Sequence, residues 1–81
     1  MIEVITREEK AEKARKKGLL PGILYGKKSA KIAVFSKEFK FSEGQSIDFV
    51  FEGQKYRGII KEIQRHPLTD EVIHFDLFLS E

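Results

Sequence analysis

The chain has 81 residues, enough for one small domain, and a chain of this size buries only about 60–65% of the surface that its unfolded form exposes. It contains no cysteine, which excludes disulfides and thiolate metal sites and fits a reducing compartment, and no apolar run approaches the ~20 residues of a membrane span. The net charge of +2 is unevenly distributed: residues 7–40 carry eleven Lys and Arg against four Glu, and residues 41–81 carry four against eight acidic residues. Such a basic half favours a polyanionic partner, although a solvated basic surface is the plainer reading. We expect a soluble, cytoplasmic protein, since the amino terminus also lacks an apolar signal region.

The first elements in chain order are a strand and a short helix. Residues 1–6 (MIEVIT) alternate and are rich in β-branched side chains, which predicts the first strand. Thr6 and Glu9 have the spacing of a capping box, and Gly18 is a natural helix stop. The sequence therefore predicts a helix over roughly 7–17.

This predicted helix has very little to bury, because Ala11 and Ala14 are its only apolar residues. A helical wheel places basic residues on one face and glutamates on the opposite face: Arg7, Lys10, Lys13 and Lys17 against Glu8, Glu9 and Glu12. The basic face suits a phosphate backbone. A solvated helix, or a segment that becomes ordered only on binding, explains the pattern equally well.

Short β-branched and aromatic runs between turn residues predict the other strands, with room for one helical turn after Ser36. They cover residues 22–26, 30–35, 46–52, 55–63 and 71–79. A sheet of such short strands must curl or close to protect its edges. We therefore expect a mainly β (α+β) fold: a small, closed or partly open antiparallel β-barrel with one or two short helices, forming a single domain over residues 1–81.

The last strand is the most informative for function. Alternation puts Ile73, Phe75, Leu77 and Leu79 on the core face and Val72, His74, Asp76 and Phe78 on the other. His74 and Asp76 then stand side by side, about 7 Å apart along the strand. On a solvated face, the plainest interpretation is an ordinary polar pair.

Catalytic and metal functions have little support in the sequence. Ser29, Ser36, Ser42 and Ser46 lie in turn or boundary contexts without a nucleophile-elbow pattern, and the spacing of the histidines and aspartates matches no metal motif. RNA recognition is an open alternative. An aspartate at an RNA surface can accept from a base amino group, and Tyr25 offers a flat ring with a polar tip.

Two stretches make the chain recognisable: ARKKGLLPGILYG at 14–26 and IQRHPLTDEVIHFD at 63–76. Together they closely resemble the bacterial large-subunit ribosomal protein family numbered twenty-five, whose longer members are called Ctc. The resemblance covers essentially the whole chain. Longer members have a second, carboxy-terminal domain, so this chain resembles the short, single-domain form.

The resemblance implies a structural protein of the large subunit with a six- or seven-stranded β-barrel that binds the loop E region of 5S rRNA. It implies no enzymatic activity, cofactor or metal. The expected partners are 5S rRNA and neighbouring large-subunit proteins, with no membrane contact. We expect the protein to be cytoplasmic, on the ribosome, and a monomer when free.

The family's RNA-contacting residues map onto this sequence individually. Its arginines fall on Arg15 and Arg7, its tyrosine on Tyr25, and its H-x-D strand on His74 and Asp76. The lysines of the basic segment are expected to contact phosphates: Lys10, Lys13, Lys16 and Lys17. The QRHP element is expected to shape the turn before the last strand: Gln64, Arg65, His66 and Pro67.

One departure from the family concerns Glu8, Glu9 and Glu12, which stand where members usually carry small or basic residues. A carboxylate facing phosphate weakens binding. Either these glutamates turn away from the RNA, or the chain binds more weakly than typical members. The alternative function is an RNA- or protein-interaction module on the same barrel that has lost strong ribosomal binding.

Overall fold

This computed structural model describes residues 2–26 and 29–80 of the chain. These residues contain six β-strands, one α-helix and one 3₁₀ turn. The strands are β1 (Ile2–Thr6), β2 (Leu19–Tyr25), β3 (Ala30–Phe35), β4 (Ser46–Phe51), β5 (Gln54–Arg65) and β6 (Val72–Ser80). The helix α1 covers Ala11–Lys16, and the 3₁₀ turn covers Ser36–Glu38. Met1 of the predicted first strand lies outside the described residues.

The strands close into a barrel in the order β1-β3-β2-β6-β5-β4, which confirms the predicted architecture. Closure satisfies the strand edges that an open sheet of this size would leave unpaired. The pairings of β1 with β4 and of β2 with β6 are parallel, whereas the other four are antiparallel. The sheet is therefore mixed, and the prediction of an antiparallel barrel holds for four of its six pairings.

The core fills the barrel with one alternate face of each strand. Its fully buried large side chains are Phe49, Phe75, Ile32, Ile60 and Leu77. In β6, Phe75 and Leu77 are buried as predicted, but Ile73 and Leu79 near its two ends are only half-buried. Fewer side chains cover the two ends of the barrel, so residues there are less buried than strand alternation alone predicts.

Helix α1 is shorter than predicted and begins differently. Its N-cap is Lys10, which makes no side-chain capping hydrogen bond, so the capping box of Thr6 and Glu9 does not form. Thr6 instead belongs to β1, and the main-chain N–H of Arg7 continues the pairing by donating to Lys31 O at 2.9 Å. The pairing of β1 with β3 therefore competes with the first helical turn and prevails.

The helix packs against β2 and, as expected, buries very little: its buried residue is Ala14. Ala14 is completely buried, and Pro21 on β2 is also fully buried. Small side chains allow a helix to lie close to a strand, so one alanine is enough to dock a helix of six residues. β2 itself begins directly after Gly18, whose φ is +82°, and includes Leu19–Pro21, which precede the predicted strand over 22–26.

Candidate nucleic-acid interface

His74 and Asp76 lie on the outer face of β6, next to each other, between β2 and β5. Their side chains are only 22% and 21% exposed, so neither is the freely solvated group that strand alternation predicts. His74 Nδ1 lies 3.7 Å from Asp76 Oδ1, which is too long for a hydrogen bond. The two side chains are therefore neighbours that are not joined by a direct hydrogen bond.

The imidazole of His74 is kept neutral by its surroundings. Burial lowers its pKa below the usual value of 6.5; Asp76 opposes this shift, and the positive charges of Arg7 and Arg15 add to it. Within the described residues, Nδ1 of His74 is buried and has no hydrogen-bond partner. A buried polar atom without a partner is costly to stability and is typical of a functional group.

Two guanidinium groups, those of Arg7 and Arg15, lie near enough to His74 to lower its pKa. Arg7 donates to the carbonyl oxygens of Ile32 at 3.2 Å, Glu9 at 3.2 Å and Gly22 at 3.5 Å. Arg15 donates through Nη1 to Ile73 O at 3.1 Å. A guanidinium carries five N–H donors, so these bonds fix both groups in position and leave donors for an anionic ligand.

The lysines of the basic segment are all exposed, but they do not form the separate face that the helical wheel predicts. Lys17 Nζ forms an ion pair with Glu9 Oε2 at 2.7 Å. One surface depression is lined by acidic and basic side chains together: Glu8, Glu9, Glu12, Lys10, Lys13 and Lys16. The helical wheel therefore does not apply to Glu8 and Glu9, because both residues precede the helix. That the glutamates turn away from the RNA stays a prediction.

Further along the same outer face, Tyr25 meets an aromatic residue that was not among the predicted RNA-contacting residues. Tyr25 and Phe78 are register partners of the parallel β2–β6 pairing, and their ring centroids lie 5.0 Å apart. Phe78 is 42% exposed, and Lys61 Nζ lies 5.4 Å from its ring centroid. The contact of Tyr25 with Phe78 joins strands that are far apart in sequence, so no local pattern indicates it.

Only part of the QRHP element lies in the turn before β6, although the whole element was predicted to shape that turn. Gln64 and Arg65 are the last residues of β5, and Gln64 is the cross-strand partner of His74. Gln64 therefore faces the candidate site from the neighbouring strand. Arg65 does reach the turn, because its Nη1 donates to Asp70 O at 3.1 Å.

The contacts of His66 lie within this turn. Its Nδ1 accepts from the main-chain N–H groups of Leu68 at 3.2 Å and Thr69 at 3.4 Å, and its carbonyl accepts from Asp70 N–H at 2.9 Å. Asp70 has a φ of +62°, which the turn requires to lead the chain into β6. These bonds give His66 a structural role and explain why only the second histidine, His74, lies at the candidate site.

Neither a metal cluster nor a membrane segment emerges from residues 2–26 and 29–80. In those ranges, no three His, Asp or Glu side chains are grouped closely enough to hold a metal ion. No helix in them is long and apolar enough to cross a bilayer. The chemistry of the outer β6 face is therefore that of hydrogen bonding, charge and ring stacking.

A model of the ribosomal L25p family matches residues 2–77 of the chain. The chain belongs to the ribosomal L25p family. Proteins named large ribosomal subunit protein bL25 are similar to it: one from Pelodictyon phaeoclathratiforme is 37% identical over 86 residues, covering 95% of this chain and 43% of that protein. One from Clostridium tetani is 39% identical over 80 residues, covering 88% of this chain and 40% of that protein. One from Caulobacter vibrioides is 38% identical over 76 residues, covering 84% and 39%.

The chain thus spans about two fifths of the length of these relatives. Family membership confirms the resemblance that the two sequence motifs indicated. The family is one of structural ribosomal proteins, which confirms that the chain is not an enzyme.

Proposed function

We propose that the chain is a structural protein of the bacterial large ribosomal subunit, in the cytoplasm, and that it binds the loop E region of 5S rRNA. In this role residues 1–81 act as one RNA-binding domain, with neighbouring large-subunit proteins as further contacts. The observation that carries the proposal is the arrangement on β6: His74 and Asp76 stand side by side, Arg15 donates to the neighbouring Ile73 O, and the charges of Arg7 and Arg15 lower the pKa of His74. Family membership supports it independently.

Each residue of this surface has a distinct task in the proposal. Asp76 accepts hydrogen bonds from base amino groups, which gives selectivity, because a carboxylate is repelled by phosphate and gains only from a donor. His74, neutral at pH 7, hydrogen-bonds or stacks on the RNA. Arg7 and Arg15 bind phosphate or base edges, and Tyr25 packs on a ribose or base.

The exposed lysines at and near α1 supply phosphate contacts that carry no sequence information: Lys10, Lys13, Lys16 and Lys17. The ion pair between Glu9 and Lys17 reduces this contribution until phosphate replaces the carboxylate. In this proposal, the side chains of β6 mainly determine which RNA is bound. The basic segment adds affinity that falls as the salt concentration rises.

The test is a titration of 5S rRNA and an unrelated RNA duplex with three proteins: wild type, Asp76→Asn and Asp48→Asn. Asp48 is a matched control, since it is an exposed aspartate on β4 that pairs with Arg57 at 2.9 Å, two strands away from β6. Both variants remove one negative charge, so non-specific electrostatic binding rises equally in both.

Asp76→Asn is expected to lose about 5- to 150-fold of its preference for 5S rRNA, the range for one base-directed contact. Asp48→Asn should bind at least as tightly as wild type, at low and at high salt. Equal binding of wild type to 5S rRNA and to the duplex, or a 5S affinity of Asp76→Asn that matches Asp48→Asn, contradicts the proposal.

The mixture of glutamates and lysines around α1 favours a second candidate, an RNA- or protein-interaction module on the same barrel that has lost strong ribosomal binding. Sedimentation with purified large subunits separates the two functions. The ribosomal function predicts that the protein moves with the subunit, whereas the second candidate predicts that it stays at the top of the gradient.

A further inference from the structure

We propose that Phe78, Lys61 and Tyr25 form a platform that holds one unpaired nucleotide of the bound RNA. The inference rests on the proposed function and adds Phe78 and Lys61 to it. These two residues carry the nucleotide's base and its flanking phosphate, beside the base-directed contact of Asp76.

The platform crosses three neighbouring strands of the barrel. Tyr25 on β2 is the register partner of Phe78 on β6, and Phe78 is the partner of Ile59 on β5. All three side chains point outward, and Phe78 and Ile59 are 42% and 38% exposed. An apolar surface exposed in this way adds little to the core, so the rings of Tyr25 and Phe78 remain available to a ligand.

The platform continues the proposed RNA surface. Phe78 follows Asp76 by two residues on β6, so the two side chains share one face about 7 Å apart. A single strand that runs along β6 can therefore present successive bases to these two side chains. A nucleotide bound by Asp76 therefore places its neighbour over the Phe78 ring.

Lys61 supplies the charge that identifies the occupant as a nucleotide. Its ammonium lies over the Phe78 ring, at 5.4 Å from the centroid, at the point where β5 has an irregularity between Ile60 and Glu62. The side chain is exposed, so a base can take its place on the ring while the ammonium moves to the flanking phosphate. A ring beside a mobile cation matches a base beside its phosphate.

The tilt between the rings leaves a surface of the right shape. Tyr25 and Phe78 are inclined at 38°, so they form a shallow angled seat rather than a closed stack. One face of each ring therefore points away from the other ring. Every base has a π-face, so this seat selects for an unpaired base and not for a particular sequence.

The experiment uses a tryptophan probe, because the chain contains no native tryptophan. Phe78→Trp keeps a ring at the platform and reports base stacking through loss of its fluorescence. Phe35→Trp is the matched control, since Phe35 is 50% exposed and pairs with Leu19 at the opposite end of β2, about 20 Å from Tyr25. Phe78→Ala and Phe78→Leu, which remove the ring at an exposed position, complete the set.

With 5S rRNA, the Phe78→Trp protein should bind within about twofold of wild type and lose most of its fluorescence, while Phe35→Trp should change little. Phe78→Ala should bind at least about fivefold more weakly, the lower limit for one lost base–aromatic stack, and Phe78→Leu should lose a similar factor. Phe78→Leu keeps the apolar bulk, so its loss of affinity separates stacking from a change in folding.

Unchanged fluorescence of Phe78→Trp, with wild-type affinity of Phe78→Leu, overturns the inference and leaves the proposed function standing, provided that wild type prefers 5S rRNA to the duplex. Equal quenching of both tryptophans also overturns it, because that result indicates that RNA covers the protein surface non-specifically. If Phe78→Ala keeps its 5S affinity but sediments less with the large subunit, the occupant is a protein and the inference is wrong. If wild type binds 5S rRNA no more tightly than the unrelated duplex, the proposed function is wrong.

Discussion

Gly22→Ala tests the close pairing of β2 with β6, on which the position of the whole outer face depends. Gly22 is the register partner of Phe75, and a Cβ built at Gly22 lies 2.6 Å from Phe75 Cε1 and 2.7 Å from Phe75 O. The carbonyl oxygen belongs to the sheet backbone. The ring is buried in the core against Phe39, at 5.0 Å between centroids, so neither atom can move away cheaply.

The magnitude follows from these two contacts. Overpacking by one methyl group in a well-packed core costs about 1–3 kcal/mol, and the backbone clash places Gly22→Ala at the upper end. The lower entropy of the unfolded alanine chain offsets about 0.4–1 kcal/mol. We therefore expect a net loss of about 2 kcal/mol in the free energy of unfolding, which for a domain of this size lowers Tm by about 8–16 °C.

Urea and thermal unfolding followed by circular dichroism measure both quantities, with Gly26→Ala as the matched control. A Cβ at Gly26 meets only the side chain of Leu79, at 3.0 Å from its Cβ and 3.2 Å from its Cδ2, so a shift of a few tenths of an ångström relieves the contact. Gly26→Ala should therefore cost less than about 1 kcal/mol. Equal effects of the two substitutions, or a cost for Gly22→Ala below about 1 kcal/mol, would refute the packing argument.

Two other predictions concern the groups around the candidate site. Because burial lowers the pKa of His74, its neutral form stabilises the fold: this stability is present above pH 6.5 and is lost as the pH falls through the folded pKa. Wild type should lose more unfolding free energy than His74→Gln between pH 7 and pH 5, and parallel urea-derived profiles would contradict this. Arg7→Gln should lower the free energy of unfolding by about 2 kcal/mol, since Arg7 donates to three carbonyl groups of other residues. An unchanged urea midpoint would show that these bonds contribute nothing.

Much of the fold could be predicted because local patterns and tertiary structure agree. The run Ala30–Phe35 is a strand with the predicted bounds, since its β-branched residues lie between turn residues and its alternate face enters the core. The period of two also separated His74 and Asp76 from Phe75 and Leu77 correctly. These features depend on neighbours within one strand, which the sequence contains.

The features that could not be predicted depend on partners distant in the chain. Ala14 is buried because β2 passes beneath the helix, and a wheel drawn for an isolated helix contains no such surface. Asp76 and His74 are only about one-fifth exposed for a related reason, since β6 lies between β2 and β5 in the closed barrel. Strand alternation placed Phe78 on the outer face. Its contact with Tyr25 could not be predicted, because that contact follows from the parallel β2–β6 register.

The most direct test of the account is chemical footprinting of 5S rRNA with and without the protein, at a salt concentration where the unrelated duplex is not bound. The account predicts protection confined to the loop E region, with protection of base edges lost in Asp76→Asn and kept in Asp48→Asn. Protection spread evenly over the RNA, or the same base-edge protection with both variants, would contradict it.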